Sequence, residues 1–158
     1  MLTLPDSILH TMLEHARQQH PLECCGVVAA PLAGPQAGRA TRVIPMHNHA
    51  ASETWFSFDS RQQLQVWREM EANDEVPLVL YHSHTSSRAW PSADDIAFAQ
   101  DPALHYLIIS TDPRHNEVRS FRIVHGEVME ETVRSEASGA SVASDASAAS
   151  MHAGALPA

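Results

Sequence analysis

Apolar residues recur at helical spacing near the start of the chain. Ile8, Leu9, Met12, Leu13 and Ala16 share one face after Pro5, with polar residues opposite. This pattern predicts a helix capped by Asp6 or Ser7 and finished before Pro21. Gly26 to Ala30 reads as a short buried strand, closed by the turn-rich PLAGPQAG. Arg39 to Pro45 is expected to return beside it as a hairpin partner. A second helix opens at Phe58-Asp59-Ser60 and carries Leu64, Val66, Trp67 and Met70. The run VPLVLY, Val76 to Tyr81, is almost wholly apolar, as a central strand buried on both faces would be. A short helix begins at Ser92 and ends near Asp101-Pro102. His105 to Ser110 and Val118 to Val124 are two further strands joined by TDPRHNE, and Gly126 starts a last short one. The sum is α/β: about six strands and three helices.

Beyond residue 134 the periodicity stops. Residues 135–158 are largely Ala, Ser and Gly, which bury too little apolar area to offset the entropy of ordering. The expected organisation is one domain over 1–134 and an Ala/Ser-rich disordered tail over 135–158. A chain of 158 residues fits one domain.

Charge and composition then remove whole classes of chemistry. The net charge is −9, and all ten cationic side chains are arginine. Without lysine there is no Schiff base and no phosphate-binding P-loop. The acidic balance argues against nucleic acid and against a polybasic membrane patch. Nothing reads as a membrane span or a signal peptide. The only cysteines, Cys24 and Cys25, are adjacent, with Cα atoms about 3.8 Å apart, closer than most disulfides allow. Reduced thiols in a cytoplasmic protein are the expectation.

Eleven histidines point instead to metal or acid–base chemistry. His82 and His84 follow the apolar strand, and in extended backbone residues i and i+2 share a face. Asp95 comes eleven residues after His84, on the first turn of the helix begun by Ser92. Two imidazoles and a carboxylate form a three-ligand set of the kind that leaves a fourth zinc position to water. Each part has a plainer reading: His47-Asn48-His49 is a second H-x-H, and Ser92 to Asp95 is an ordinary capping box. The combination carries the signal.

In that combination the chain resembles the JAMM/MPN+ metalloproteases. Their signature H-x-H-x7-S-x2-D is filled by His82, His84, Ser92 and Asp95, and HPLECCG matches the family's glutamate segment. The likeness extends through PMHNHAASETWFSFD, VPLVLYHSH and HYLIIST, over roughly residues 5–132. It implies a cytidine-deaminase-like MPN fold: a mixed sheet with flanking helices. It also implies Zn²⁺ on His82, His84 and Asp95, Glu23 as general base, and Ser92 as donor to the oxyanion. The chain looks most like small stand-alone bacterial peptidases of ubiquitin-like sulfur-carrier proteins ending in Gly-Gly. Such an enzyme hydrolyses the bond between the carrier's C-terminal glycine and a C-terminal cysteine, releasing cysteine in its biosynthesis. Related peptidases are often dimeric, so a homodimer is a further expectation. Thr85 departs from the pattern, where many members carry proline.

The alternatives are a catalytically silent MPN scaffold and a JAMM peptidase for another peptide. Intact ligands argue against the first. A zinc deaminase is excluded by the missing H-x-E and P-C-x-x-C elements. Among lesser candidates, Cys24 and Cys25 are favoured as small hydrophobes, and His47 and His49 as loop residues. The resemblance places Asn48 and Ser52 near the substrate groove. Arg88 could bind the terminal carboxylate, and Trp90 could shape the groove. His10, His15 and His20 step around their helix and define no single face.

Overall fold

The computed structural model describes residues 1–137. The disordered tail expected over 135–158 begins too early, since Ser135 and Glu136 are in a strand, and from residue 138 onward it lies outside the described residues. In chain order the elements are β1 (Leu2–Pro5), α1 (Asp6–Gln19), β2 (Cys25–Pro31), β3 (Arg42–Met46), α2 (Ser60–Ala72) and β4 (Glu75–His84). They continue with α3 (Ala93–Phe98), β5 (His105–Ser110), β6 (Val118–Val124), β7 (Glu127–Glu131) and β8 (Val133–Glu136).

Six strands form one mixed sheet in the order β3-β2-β4-β5-β6-β7. All neighbours are antiparallel except β4 and β5, whose parallel pairing requires the crossover that contains α3. This is the mixed sheet with flanking helices expected from the sequence. Side-chain alternation splits the core in two. Val79, Tyr81, Leu107 and Ile109 pack with Ile8, Met12 and Ala16 of α1. Leu80, Tyr106 and Ile108 pack on the opposite side with Val66 and Met70 of α2.

Several sequence expectations are corrected. The strand β4 is ten residues long, so His82 and His84 lie inside it rather than after it. Its first four residues are only half-buried, and Pro77 sits at a register shift against β2, where a missing N–H is tolerated. Pro5, not Asp6 or Ser7, occupies the capping position of α1. The hairpin partner β3 starts at Arg42 rather than Arg39. A separate two-stranded parallel sheet of β1 and β8 was not anticipated. It pairs Leu2 with Val133 and Leu4 with Ser135, burying both leucines against α1.

Gly26 sits where the sheet can least accept a side chain. A Cβ there would lie 2.5 Å from the Tyr81 hydroxyl and 2.6 Å from its ring. That ring is fully buried, and its hydroxyl bonds His15 Nδ1 at 2.9 Å, so it cannot swing away cheaply. Gly26→Ala is expected to lower stability by about 1–3 kcal/mol. A urea titration with an unchanged slope and a lower midpoint is the corresponding result.

Candidate metal centre

The sheet brings the candidate residues together by register. Cys25 of β2 faces His82 of β4, and the Ser83 hydroxyl accepts from Cys24 N–H at 2.8 Å. The start of β2 is thereby pinned to the end of β4, which sets Glu23 beside the histidine pair. Asp95 arrives from the crossover, on the first turn of α3. The capping box is formed: Ser92 Oγ accepts from Asp95 N–H at 3.1 Å, and Ser92 N–H donates to Asp95 Oδ2 at 2.7 Å. Ser92 Oγ–H also donates to Asp95 Oδ2 at 2.7 Å. Capping and site construction are therefore one device, not rival readings.

His82 Nε2 lies 3.1 Å from His84 Nε2 and 3.2 Å from Asp95 Oδ1, while His84 Nε2 is 3.3 Å from Asp95 Oδ2. Zinc bonds of 2.0–2.1 Å imply a tetrahedral edge of roughly 3.3 Å. The observed separations are close to that edge, with Asp95 turning Oδ1 to His82 and Oδ2 to His84. His84 Nδ1 is 3.0 Å from the Arg88 carbonyl, which can only accept, so Nδ1 carries the proton and Nε2 offers its lone pair. Three electron-pair donors this close repel unless a cation lies among them. Among the described residues these three are the group of His, Cys, Asp or Glu side chains able to hold a metal.

Electrostatics agree with the geometry. Burial raises the Asp95 carboxyl, but in the metal-free chain hydrogen bonds from His82 and His84, which then carry a proton at Nε2, outweigh it and hold the group far below the usual carboxylate range. Burial pulls His82 below the ordinary imidazole value. For His84 the same pull is overcome by Asp95 and the Arg88 carbonyl. Glu23 is 5 % exposed, and burial first, then Asp95, pushes it up to about 7 against the attraction of His84. A carboxyl raised on folding binds its proton more tightly in the native state. Its ionisation therefore removes stability as pH rises from about 4.5 to about 7. In the metal-free chain Glu23→Gln should match the parent at pH 4 and exceed it at pH 8. Discounted for water reaching the cavity, the gain is on the order of 2 kcal/mol. Denaturant midpoints at the two pH values read it directly, and equal midpoints at pH 8 would contradict the assigned environment.

The supporting residues were mostly invisible in the sequence. Phe56 stacks on His82 with ring centroids 4.5 Å apart. Buried Asn48 donates to the Glu23 and Trp55 carbonyls at 3.0 and 2.9 Å, and its carbonyl accepts from Ala50 and Ser57 N–H. Glu23 N–H in turn bonds the Ser52 carbonyl at 2.9 Å. The stretch from Asn48 to Ser57 thus clasps Glu23 by both its backbone groups. Histidine spacing drew attention to His47 and His49, yet both are exposed and the residue between them does the work. The Arg88 guanidinium pairs with Glu117, and its carbonyl is the part that serves the site. Trp90 packs edge-on against Phe121 beneath Arg119. His10, His15 and His20 pair separately with Glu14, Tyr81 and Thr111. Burial pushes the Cys24 and Cys25 thiols up to about 11 and about 12, which leaves both unreactive.

The family model for prokaryotic homologs of the JAB domain matches residues 5–124. The chain belongs to this family. A CysO-cysteine peptidase of Mycobacterium tuberculosis is 48 % identical over 135 residues, covering 84 % of this chain and 90 % of the relative. A desampylase of Haloferax volcanii is 34 % identical over 110 residues, 69 % and 77 % of the two chains. Among solved structures, a Desulfitobacterium hafniense protein gives a TM-score of 0.74 at 38 % identity, over 87 % of this chain and 94 % of its own. A JAB1/MPN domain protein of Archaeoglobus fulgidus shares the fold with a TM-score of 0.54 at 18 % identity, over 85 % and 99 %. The JAB/MPN family is generally metal-dependent, and His82, His84 and Asp95 are the group among the described residues that could hold a metal ion. No helix among the described residues is long and apolar enough to cross a membrane.

Proposed function

We propose that this chain is a zinc peptidase that hydrolyses the bond between the C-terminal glycine of a ubiquitin-like sulfur-carrier protein and a following cysteine. The likeness over 84 % of the chain to a CysO-cysteine peptidase carries the reading. Local geometry supports it, because Glu23, His84, Ser92 and Asp95 line one cavity of about 100 Å³, with buried His82 in contact with His84 and Asp95. Reduced, buried thiols suit the cytoplasm, where such a carrier would be met.

When bound at His82, His84 and Asp95, Zn²⁺ supplies Lewis acidity: it lets water ionise near neutral pH and polarises the scissile carbonyl. The residues of the chain do the rest. The Glu23 carboxylate takes a proton from the attacking water and delivers it to the departing amine of cysteine. Ser92 donates its hydroxyl hydrogen to the carbonyl oxygen as negative charge grows there. That hydrogen leaves Asp95 Oδ2, which keeps the Ser92 N–H bond at 2.7 Å and is not orphaned. The Arg88 carbonyl holds the His84 tautomer throughout.

The scaffold reading has nothing in the site to favour it. The test is incubation of zinc-loaded protein with a Gly-Gly carrier extended by one cysteine, followed by intact-mass measurement. Loss of one cysteine residue is the expected result. An intact adduct, with metal bound, would return the chain to the scaffold class.

A further inference from the structure

Outside the catalytic groups, the cavity has two walls with a defined origin. One is Glu53 and Thr54, from the segment between β3 and α2; the other is Thr85, Ser86 and Ser87, directly after β4. The walls are bolted together. Thr85 Oγ1–H donates to the Glu53 carbonyl at 2.8 Å, and Thr85 is buried. A proline here has no side-chain donor, so the strut exists only because this chain departs from the commoner residue. Further ties hold each wall from behind. The Ser52 carbonyl accepts from Glu23 N–H at 2.9 Å, and Ser110 Oγ–H donates to the Ser87 carbonyl at 2.6 Å. A wall tied at both ends is a fixed boundary, not a closing flap.

Size and polarity follow. At about 100 Å³ the space is smaller than the roughly 150 Å³ that holds a benzene ring in a protein core. Its outer lining is hydroxyl and carboxylate, with no aliphatic or aromatic side chain and no arginine. Arg88 pairs with Glu117, and Arg114, which donates to the Ser86 carbonyl at 3.3 Å, pairs with Asp112. Glu23 delivers its proton to the departing amine, so the cavity it lines is on the leaving-residue side of the scissile bond.

We infer that this cavity is the leaving-residue subsite, and that the Thr85–Glu53 strut sets its width so that it takes one small residue. The inference rests on the peptidase reading above and deepens it. Thr85 is a specificity-determining positioning residue: it acts through the wall it holds. Cysteine, serine and alanine fit between the walls, whereas phenylalanine or tryptophan does not.

The test uses the full zinc-loaded chain and a Gly-Gly carrier extended by single Cys, Ser, Ala, Phe or Trp residues, with kcat/KM measured for each. The parent is expected to favour the three small residues over Phe and Trp by at least about tenfold, within the range a size-limited pocket supplies. Thr85→Val keeps the shape and removes the hydroxyl, and should shrink that ratio to about threefold or less, mainly through KM for the large residues. Thr85→Ser restores the donor and should restore the ratio. A parent that cleaves all five adducts equally overturns the subsite while leaving the peptidase reading intact, and needs no variant to fold. A parent that cleaves none overturns the peptidase reading itself. If Thr85→Val instead alters tolerance for Gly→Ala in the carrier tail, with the leaving-residue ranking unchanged, the cavity is on the acyl side and the proposal fails.

Discussion

Glu23→Gln should bind one zinc per chain as the parent does and cleave the carrier–cysteine adduct about 10²–10⁴-fold more slowly. The amide is nearly isosteric, so the Asn48 and Ser52 bonds to the Glu23 backbone survive the change. What disappears is a carboxylate able to take a proton near neutral pH. The same substitution that removes turnover is expected to stabilise the metal-free chain at pH 8, because it deletes a buried charge. Opposite signs on activity and stability mark a functional group that the fold holds at a cost. The measurement pairs steady-state kinetics with metal analysis by mass spectrometry. Parent-like turnover would remove Glu23 from the role of base.

His82→Ala should abolish zinc binding and, with it, the stabilisation that zinc confers. For a ligand that binds only the native state, a free concentration of one hundred times Kd adds about 2.7 kcal/mol. A domain of this size should show that as a rise of several degrees in Tm. The parent is expected to show the rise and His82→Ala none. His82 also stacks on Phe56, so the variant should start from a lower metal-free Tm. The deciding quantity is therefore the zinc-induced shift, not the absolute value. An undiminished shift would place the metal elsewhere.

Legibility in the sequence was uneven, for physical reasons. Periodicity exposed α1 and the interior strands because those segments bury one face or two. It missed β1 and β8, four residues each, whose stability comes from pairing two ends of the described chain with each other. The same locality hid the supports of the site. Asp95 was legible from its spacing to His84 and from the capping serine. Glu23 was one of eleven glutamates, and only family likeness singled it out. Nothing in the sequence marks the Arg88 carbonyl as the acceptor that fixes a histidine tautomer, since every residue has a carbonyl. Asn48 was singled out by family likeness as a groove residue, but its grip on the Glu23 carbonyl became visible only in the fold. Thr85 stood out as a departure, but its meaning required the distance to Glu53.

The most direct test of the account is to strip the protein with a chelator and add zinc back while following release of cysteine from the carrier adduct. Turnover should be absent in the stripped chain, rise linearly to one zinc per chain and then level off, with Glu23→Gln slower by at least about a hundredfold at every zinc level. A stripped chain that cleaves at the parent rate, or a zinc-filled one that releases no cysteine, would contradict it.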